Sequence, residues 1–119
     1  MLNLVKELCR LPGVSSWEEP VRAFIQERVA PHADQLRVDT LGNLIVFKKG
    51  KKSTGNKLLL AAHMDEVGLM VTEIDEKGFL KFTNVGGIDE RILPASEVVV
   101  HGKRDICGVI GIKPPHLQT

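Results

Sequence analysis

The feature that most constrains the fold is an uninterrupted apolar run, "LLLAA", at residues 58–62. Five apolar residues without polar alternation, bounded by polar residues, are typical of a central strand that is covered on both faces. Two amphipathic segments precede this run in the sequence. The combination predicts an α/β structure in which helices pack against the faces of a sheet.

The residues before Pro31 have helical periodicity. A second helix is expected to begin with a capping box, in which the Ser16 hydroxyl and the Glu19 carboxylate satisfy backbone donors. Pro31 ends this helix, because a proline inside a helix loses a hydrogen bond and clashes with the preceding turn. The first helix is predicted over residues 3–11, where four apolar side chains share one face: Leu4, Val5, Leu8 and Leu11.

From residue 35 onward the apolar residues follow a strand-like pattern, interrupted by a lysine-rich loop that is expected to be solvated. No helix is predicted after residue 67. A domain boundary is therefore predicted near that residue, between a domain at 1–66 and an incomplete β-rich domain at 67–119. Besides the run at 58–62, strands are expected at 35–39, 44–47, 67–74, 79–83, 96–102 and 106–112, the last four as two hairpins.

Charge and hydropathy argue against several classes of function. Sixteen basic and fifteen acidic residues give a net charge of +1, which argues against a dedicated nucleic-acid surface. No apolar run approaches the roughly 20 residues that span a bilayer, and the N-terminus lacks the apolar region of a signal peptide. Cys9 and Cys107 are isolated in the sequence, and we expect them to be buried free thiols of a cytoplasmic protein.

A candidate metal site follows directly after the apolar run, at His63 and Asp65. Residues i and i+2 of a strand point to the same face, and open α/β sheets bind ligands at the carboxyl ends of their strands. An imidazole is a good ligand for zinc or cobalt, and a ligating histidine usually donates its other N–H to a carboxylate. The sequence therefore favours His63 as a ligand and Asp65 as its partner. The alternative is a strand-end histidine that is hydrogen-bonded to an acid without a metal.

The other histidines carry weaker signals. His32 follows Pro31 and is expected to be solvated, and His101 is expected at a turn. His116 lies in an extended proline-rich segment, where it faces a ligand or has no function. The loop at 84–94 contains a Gly-Gly pair followed by charged residues. This loop is interpreted either as a connector whose charges pair with one another, or as a segment that reaches the metal crevice or a neighbouring subunit.

Five segments of the chain, taken together, resemble the amino-terminal third of the tetrahedral dinuclear metallo-aminopeptidases. This family includes glutamyl and deblocking aminopeptidases, and some of its members carry endoglucanase labels. The resemblance covers essentially the whole chain. The segments are "PGVSSWEEPVR" (12–22), "VDTLGNLIVFKKG" (38–50), "LLLAAHMDEVGLMVTEIDEKGFLKF" (58–82), "VGGIDERIL" (85–93) and "GVIGIKPPHLQT" (108–119).

The resemblance implies a zinc-peptidase α/β domain with a small β-rich domain inserted after the His63 strand, and this inserted domain serves for oligomerisation. It also implies that His63 binds one of two divalent ions, zinc or cobalt, and that Asp65 orients it. Such enzymes remove N-terminal residues from peptides, using activated water and a glutamate base. A homo-oligomer is expected, without nucleic-acid or membrane partners.

The sequence departs from the family pattern because it ends before the family's remaining metal ligands and its glutamate base. We therefore expect the 119-residue chain to be the N-terminal part of such an enzyme and to be inactive by itself. Two alternatives stay open. The first is a non-catalytic β-rich interaction module, and the second is a metal-binding subunit that another chain completes.

Overall fold

The computed structural model of the chain describes residues 1–51 and 55–112. The chain forms two compact units, Met1–Gly86 and Gly87–Thr119. The first contains helices α1 (Leu2–Leu8) and α2 (Glu19–Val29), a 3-10 turn (Ala30–His32) and strands β1 (Gln35–Val38), β2 (Leu44–Phe47), β3 (Gly68–Ile74) and β4 (Leu80–Val85). The second contains a 3-10 turn (Glu90–Ile92) and strands β5 (Glu97–Val100) and β6 (Ile106–Val109).

The chain is α/β, as predicted, and the described strands pair as three antiparallel hairpins, β1–β2, β3–β4 and β5–β6. Each hairpin joins strands that are adjacent in sequence. In the turn between β3 and β4, the Asp75 carboxylate accepts hydrogen bonds from the backbone N–H groups of Lys77 and Phe79. Gly78 supplies the left-handed backbone of this turn at a φ of +84°. These hairpins agree with the strand pattern of the sequence.

The two compact units divide between Gly86 and Gly87, whereas the sequence predicts a domain boundary near residue 67. The two boundaries describe different properties. The first separates compact parts of this chain, and the second is the point at which the family resemblance predicts an inserted domain. The division into domains at 1–66 and 67–119 therefore stays a prediction.

Helix α2 begins two residues later than the capping box requires. Its N-cap is Glu18, which makes no side-chain cap hydrogen bond, and Ser16 has a φ of +74°. A helix capped by Ser16 would place Pro20 at its fourth position, where a backbone N–H must donate to the cap carbonyl. Beginning at Glu19 places Pro20 at the second position, where no intrahelical donor is needed. The predicted capping box of Ser16 and Glu19 is therefore wrong.

The first helix is also shorter than predicted, since α1 ends at Leu8 and buries none of its residues. Among the described residues, the buried hydrophobic side chains are Val21 in the first unit and Ile110 in the second. Cys9 and Cys107 are free but exposed, so the expectation of buried thiols is wrong. Cys9 directly follows a helix that has no buried residues, and Cys107 lies on a hairpin whose strands each have one partner.

The predicted central strand at 58–62 is not formed. Residues 56–65 belong to no helix or strand, and Leu58, Leu59 and Leu60 are 84–87% exposed. A strand requires a neighbour that completes its backbone hydrogen bonds, and no described strand pairs with this segment. In the part of the chain that the structure describes, no helix is long and apolar enough to cross a membrane.

Candidate functional site

Two segments that are far apart in sequence come together in the first unit. The loop at 12–17, called the strap below, runs alongside the segment at 63–66. The backbone N–H of Glu66 donates to the carbonyl of Gly13 at 2.8 Å, and the N–H of Gly13 donates to the Glu66 carboxylate at 3.3 Å. Val14 and Glu66 form an isolated parallel bridge. Backbone and side-chain bonds therefore fix the strap beside the candidate metal ligand.

Close packing keeps the strap in this position. A Cβ atom added to Gly13 would lie 2.8 Å from Cγ2 of Val21, the buried valine of helix α2. A Cβ atom added to Gly68 would lie 2.5 Å from Cγ2 of Val14. Ordinary carbon–carbon contacts are about 3.5–4.0 Å. The strap therefore approaches its neighbours more closely than any side chain at these two positions would allow.

The strap brings Ser15 to the pair that the sequence singles out. Nδ1 of His63 lies 3.0 Å from Oδ1 of Asp65 and 3.0 Å from the Asp65 carbonyl oxygen. The Ser15 hydroxyl donates to the other carboxylate oxygen, Oδ2, at 2.5 Å. Ser15 is half-buried, whereas the side chain of His63 is 85% exposed and that of Asp65 is 39% exposed. The carboxylate is thus held from two sides.

These contacts define the charge state and the tautomer of the site. The hydrogen bond from Ser15 is the main cause that lowers the pKa of Asp65, and the bond from His63 adds to it. Asp65 is therefore a carboxylate at neutral pH. Both atoms beside Nδ1 of His63 are acceptors, so a neutral imidazole must carry its proton on Nδ1. The lone pair of Nε2 is left to bind a ligand.

The site opens on a cleft of about 360 Å³, whose lining includes His63, Asp65, Met64, Glu18, Leu41 and Asn43. One imidazole is a suitable donor for zinc or cobalt, but a catalytic zinc normally has three protein ligands. Residues 1–51 and 55–112 contain no group of three or more His, Cys, Asp or Glu that could hold a metal ion. The described residues supply one candidate metal ligand, His63, and do not complete a metal site.

The remaining predicted candidates lie elsewhere. His32 is exposed in its 3-10 turn, and Nδ1 of His101 lies 2.9 Å from Oδ1 of Asp105. His116 lies outside the described residues. In the loop at 84–94, Nη2 of Arg91 lies 2.6 Å from Oδ2 of Asp89, and this pairing lowers the pKa of Asp89. Charges of this loop thus pair with each other, as expected if the loop is a connector.

Reasoning from the sequence missed Ser15. Its hydrogen bond to Asp65 spans 50 residues, and no local spacing connects a serine in one loop with an acid in another segment. The only hint is that Ser15 lies in one of the segments that carry the family resemblance. That hint does not tell Ser15 from the neighbouring Ser16, which is exposed.

Comparison with known proteins identifies consistent relatives. Residues 42–119 match the model of the family described as M42 glutamyl aminopeptidase. Lysyl aminopeptidase of Pyrococcus furiosus is 37% identical over 118 residues, which cover 98% of this chain and 33% of that protein.

Solved structures agree with the sequence comparison. An aminopeptidase from the archaeon Desulfurococcus kamchatkensis has a TM-score of 0.89 and 40% identity, covering 98% of this chain and 33% of its own. The TET1 peptidase of Pyrococcus horikoshii, which can assemble into a tetrahedron or a large octahedral shell, has a TM-score of 0.80 and 42% identity, covering 98% and 34%. The chain spans about one third of the length of these relatives.

Proposed function

The chain belongs to the M42 glutamyl aminopeptidase family, and we propose that it is the amino-terminal part of a metal-dependent enzyme that removes N-terminal residues from peptides. The observation that carries this proposal is the His63–Asp65 pair. The pair combines an exposed imidazole with a carboxylate that fixes its tautomer, and both line a cleft.

His63 is the proposed metal ligand, through Nε2, and Asp65 is the residue that orients it. A carboxylate that accepts the Nδ1 proton raises the basicity of the ring and restricts its rotation. The two ions, zinc or cobalt, when bound supply Lewis acidity that polarises the peptide carbonyl and activates water. Hydrogen bonds from Ser15 and His63 lower the pKa of Asp65, so its carboxylate is ionised at neutral pH.

The completed site needs ligands and a general base beyond His63 and Asp65. The described residues provide one persuasive ligand, and the Glu66 carboxylate already accepts a hydrogen bond from the backbone N–H of Gly13. We therefore propose that residues 1–119 alone do not hydrolyse peptides. A subunit completed by another chain is the alternative that the incomplete ligand set also favours.

The protein is also proposed to form a homo-oligomer. The TET1 peptidase of similar fold assembles into closed shells. Each described strand of this chain has a single partner, which leaves a backbone edge on both sides of every hairpin. Two of the three described hairpins, β3–β4 and β5–β6, lie in the β-rich half, so we propose that this half makes contacts between subunits. The same edges equally favour the alternative of a non-catalytic interaction module.

The test replaces His63 by alanine in the product of the complete gene, with His32→Ala as the matched control. We expect His63→Ala to lose one of two metal ions and nearly all activity, whereas His32→Ala retains both, because His32 is an exposed residue outside the cleft. Metal content is measured by mass spectrometry and activity with a chromogenic aminoacyl amide. Asp65→Asn should weaken metal binding by roughly 10–100-fold. Full metal content and activity in His63→Ala would remove His63 from the site.

A further inference from the structure

The position of Asp65 depends on more than the residues that the family pattern singles out. His63 is 85% exposed, so neighbouring side chains do little to hold its ring. Its orientation depends on the acceptors of Asp65, and the Asp65 carboxylate can rotate unless its second oxygen is held. The atom that holds this oxygen is Oγ of Ser15.

We propose that Ser15 is a positioning residue of the metal site, which fixes the Asp65 carboxylate so that His63 carries its proton on Nδ1 and presents Nε2 to the metal. The inference rests on the function proposed above for His63 and Asp65. It adds a residue from the strap, 50 positions away from Asp65 in sequence.

The geometry supports this role because the strap is anchored apart from the Ser15 hydroxyl. Hydrogen bonds between Gly13 and Glu66, one of which belongs to the parallel bridge of Val14 with Glu66, tie the strap to the neighbouring segment. The backbone of Ser15 is therefore positioned independently of the carboxylate that its hydroxyl contacts. A donor fixed in this way selects one rotamer of Asp65.

The two carboxylate oxygens of Asp65 also accept hydrogen bonds from different donors. Oδ2 accepts from Ser15 and Oδ1 accepts from Nδ1 of His63. Without the hydroxyl, the Asp65 carboxylate can rotate away from His63, so the hydrogen bond that favours a proton on Nδ1 forms less often. Ser15 thus acts through Asp65 on the nitrogen that binds the metal.

The first experiment measures the tautomer of His63 by nitrogen-15 NMR in the 119-residue chain, at pH 8, where an ordinary imidazole is neutral. We expect the Nδ1–H form to predominate in the natural sequence. In Ser15→Ala the ratio of Nδ1–H to Nε2–H should fall about 2-fold to 10-fold, the factor that corresponds to one net hydrogen bond.

Two variants separate this effect from a change of structure. Ser15→Thr keeps the hydroxyl and should restore the ratio. Ser16→Ala makes the same substitution at the exposed neighbouring residue and should leave the ratio unchanged. The amide signal of Glu66 reports whether the strap is still bound. If Ser15→Ala loses that signal, Ser15→Cys, with a similar shape and a weak donor, provides the comparison in a folded chain. An unchanged ratio in a folded Ser15→Ala or Ser15→Cys chain overturns the proposal.

The second experiment connects the tautomer with the metal, in the product of the complete gene loaded with cobalt. Ser15→Ala should weaken cobalt binding and shift the visible spectrum of cobalt, and Ser15→Thr should reverse both changes. If His63→Ala retains its metal while the tautomer still depends on Ser15, the proposed function fails and the positioning role stands. If His63→Ala loses its metal while Ser15→Ala changes neither the tautomer nor cobalt binding, the positioning role alone fails.

Discussion

The close approach of Gly13 to Val21 leads to a quantitative prediction about the free energy of unfolding. A methyl group at residue 13 would lie 2.8 Å from Cγ2 of Val21, 3.5 Å from the Met64 carbonyl oxygen and 3.9 Å from Cβ of Val21. Only the first distance is too short. Removing Cγ2 by Val21→Ala therefore makes room for the methyl group of Gly13→Ala, so the two substitutions should compensate each other.

The magnitudes follow from burial. Val21 is 6% exposed, so Val21→Ala loses two buried methyl groups, about 1.6 kcal/mol of transfer energy plus a cavity cost, or about 2 kcal/mol together. Gly13→Ala forces the strap to move at a cost of about 1–3 kcal/mol, which the reduced freedom of the unfolded chain offsets by about 0.4–1 kcal/mol. In the double variant the new methyl group refills part of the cavity. We expect the double variant to be destabilised by about 1 kcal/mol, and the coupling energy to be about 2 kcal/mol.

Urea unfolding of the four proteins, followed by tryptophan fluorescence, measures this cycle. Trp17 is the single tryptophan, and its backbone N–H donates to Val14 within the strap. Gly87→Ala is the matched control, because a Cβ atom there meets nothing within 4 Å, and it should change the free energy of unfolding by less than about 0.5 kcal/mol. Additive effects of Gly13→Ala and Val21→Ala, within about 0.5 kcal/mol, would refute the described packing.

Two further predictions concern the rest of the first unit. Hydrogen bonds from the side chain and backbone of Asn43, and from the backbone of Leu41, lower the pKa of Asp39. A carboxyl whose pKa is depressed on folding stabilises the chain above its unfolded pKa of about 3.9, and this contribution is lost as the pH falls through the folded pKa. Asp39→Ala should therefore reduce the acid-induced loss of stability, seen in urea unfolding at pH 6 and pH 3, and an unchanged loss would count against it. Because Leu58–Leu60 are exposed, the isolated chain should self-associate in sedimentation velocity, and Leu59→Lys should weaken this more than a change at Lys57. A monodisperse natural chain would contradict the expectation.

The hairpins were predictable because their information is local. The turn at Asp75–Gly78 and the alternating residues on either side of it predict β3 and β4 without knowledge of any distant residue. The start of helix α2 was also encoded locally, since Pro20 excludes a cap at Ser16. The apolar run at 58–62 differs, because a central strand exists only where other segments complete its hydrogen bonds, and the described residues do not supply them.

The candidate site divides in the same way. His63 and Asp65 are two residues apart, and their proximity does not require the predicted strand: the 3.0 Å contacts form in a segment that belongs to no strand. Ser15 reaches Asp65 only because Gly13 allows the strap to lie against Val21. The spacing of polar residues therefore indicates which side chains carry the chemistry. The absence of a side chain at a glycine in a distant loop decides how firmly those side chains are held.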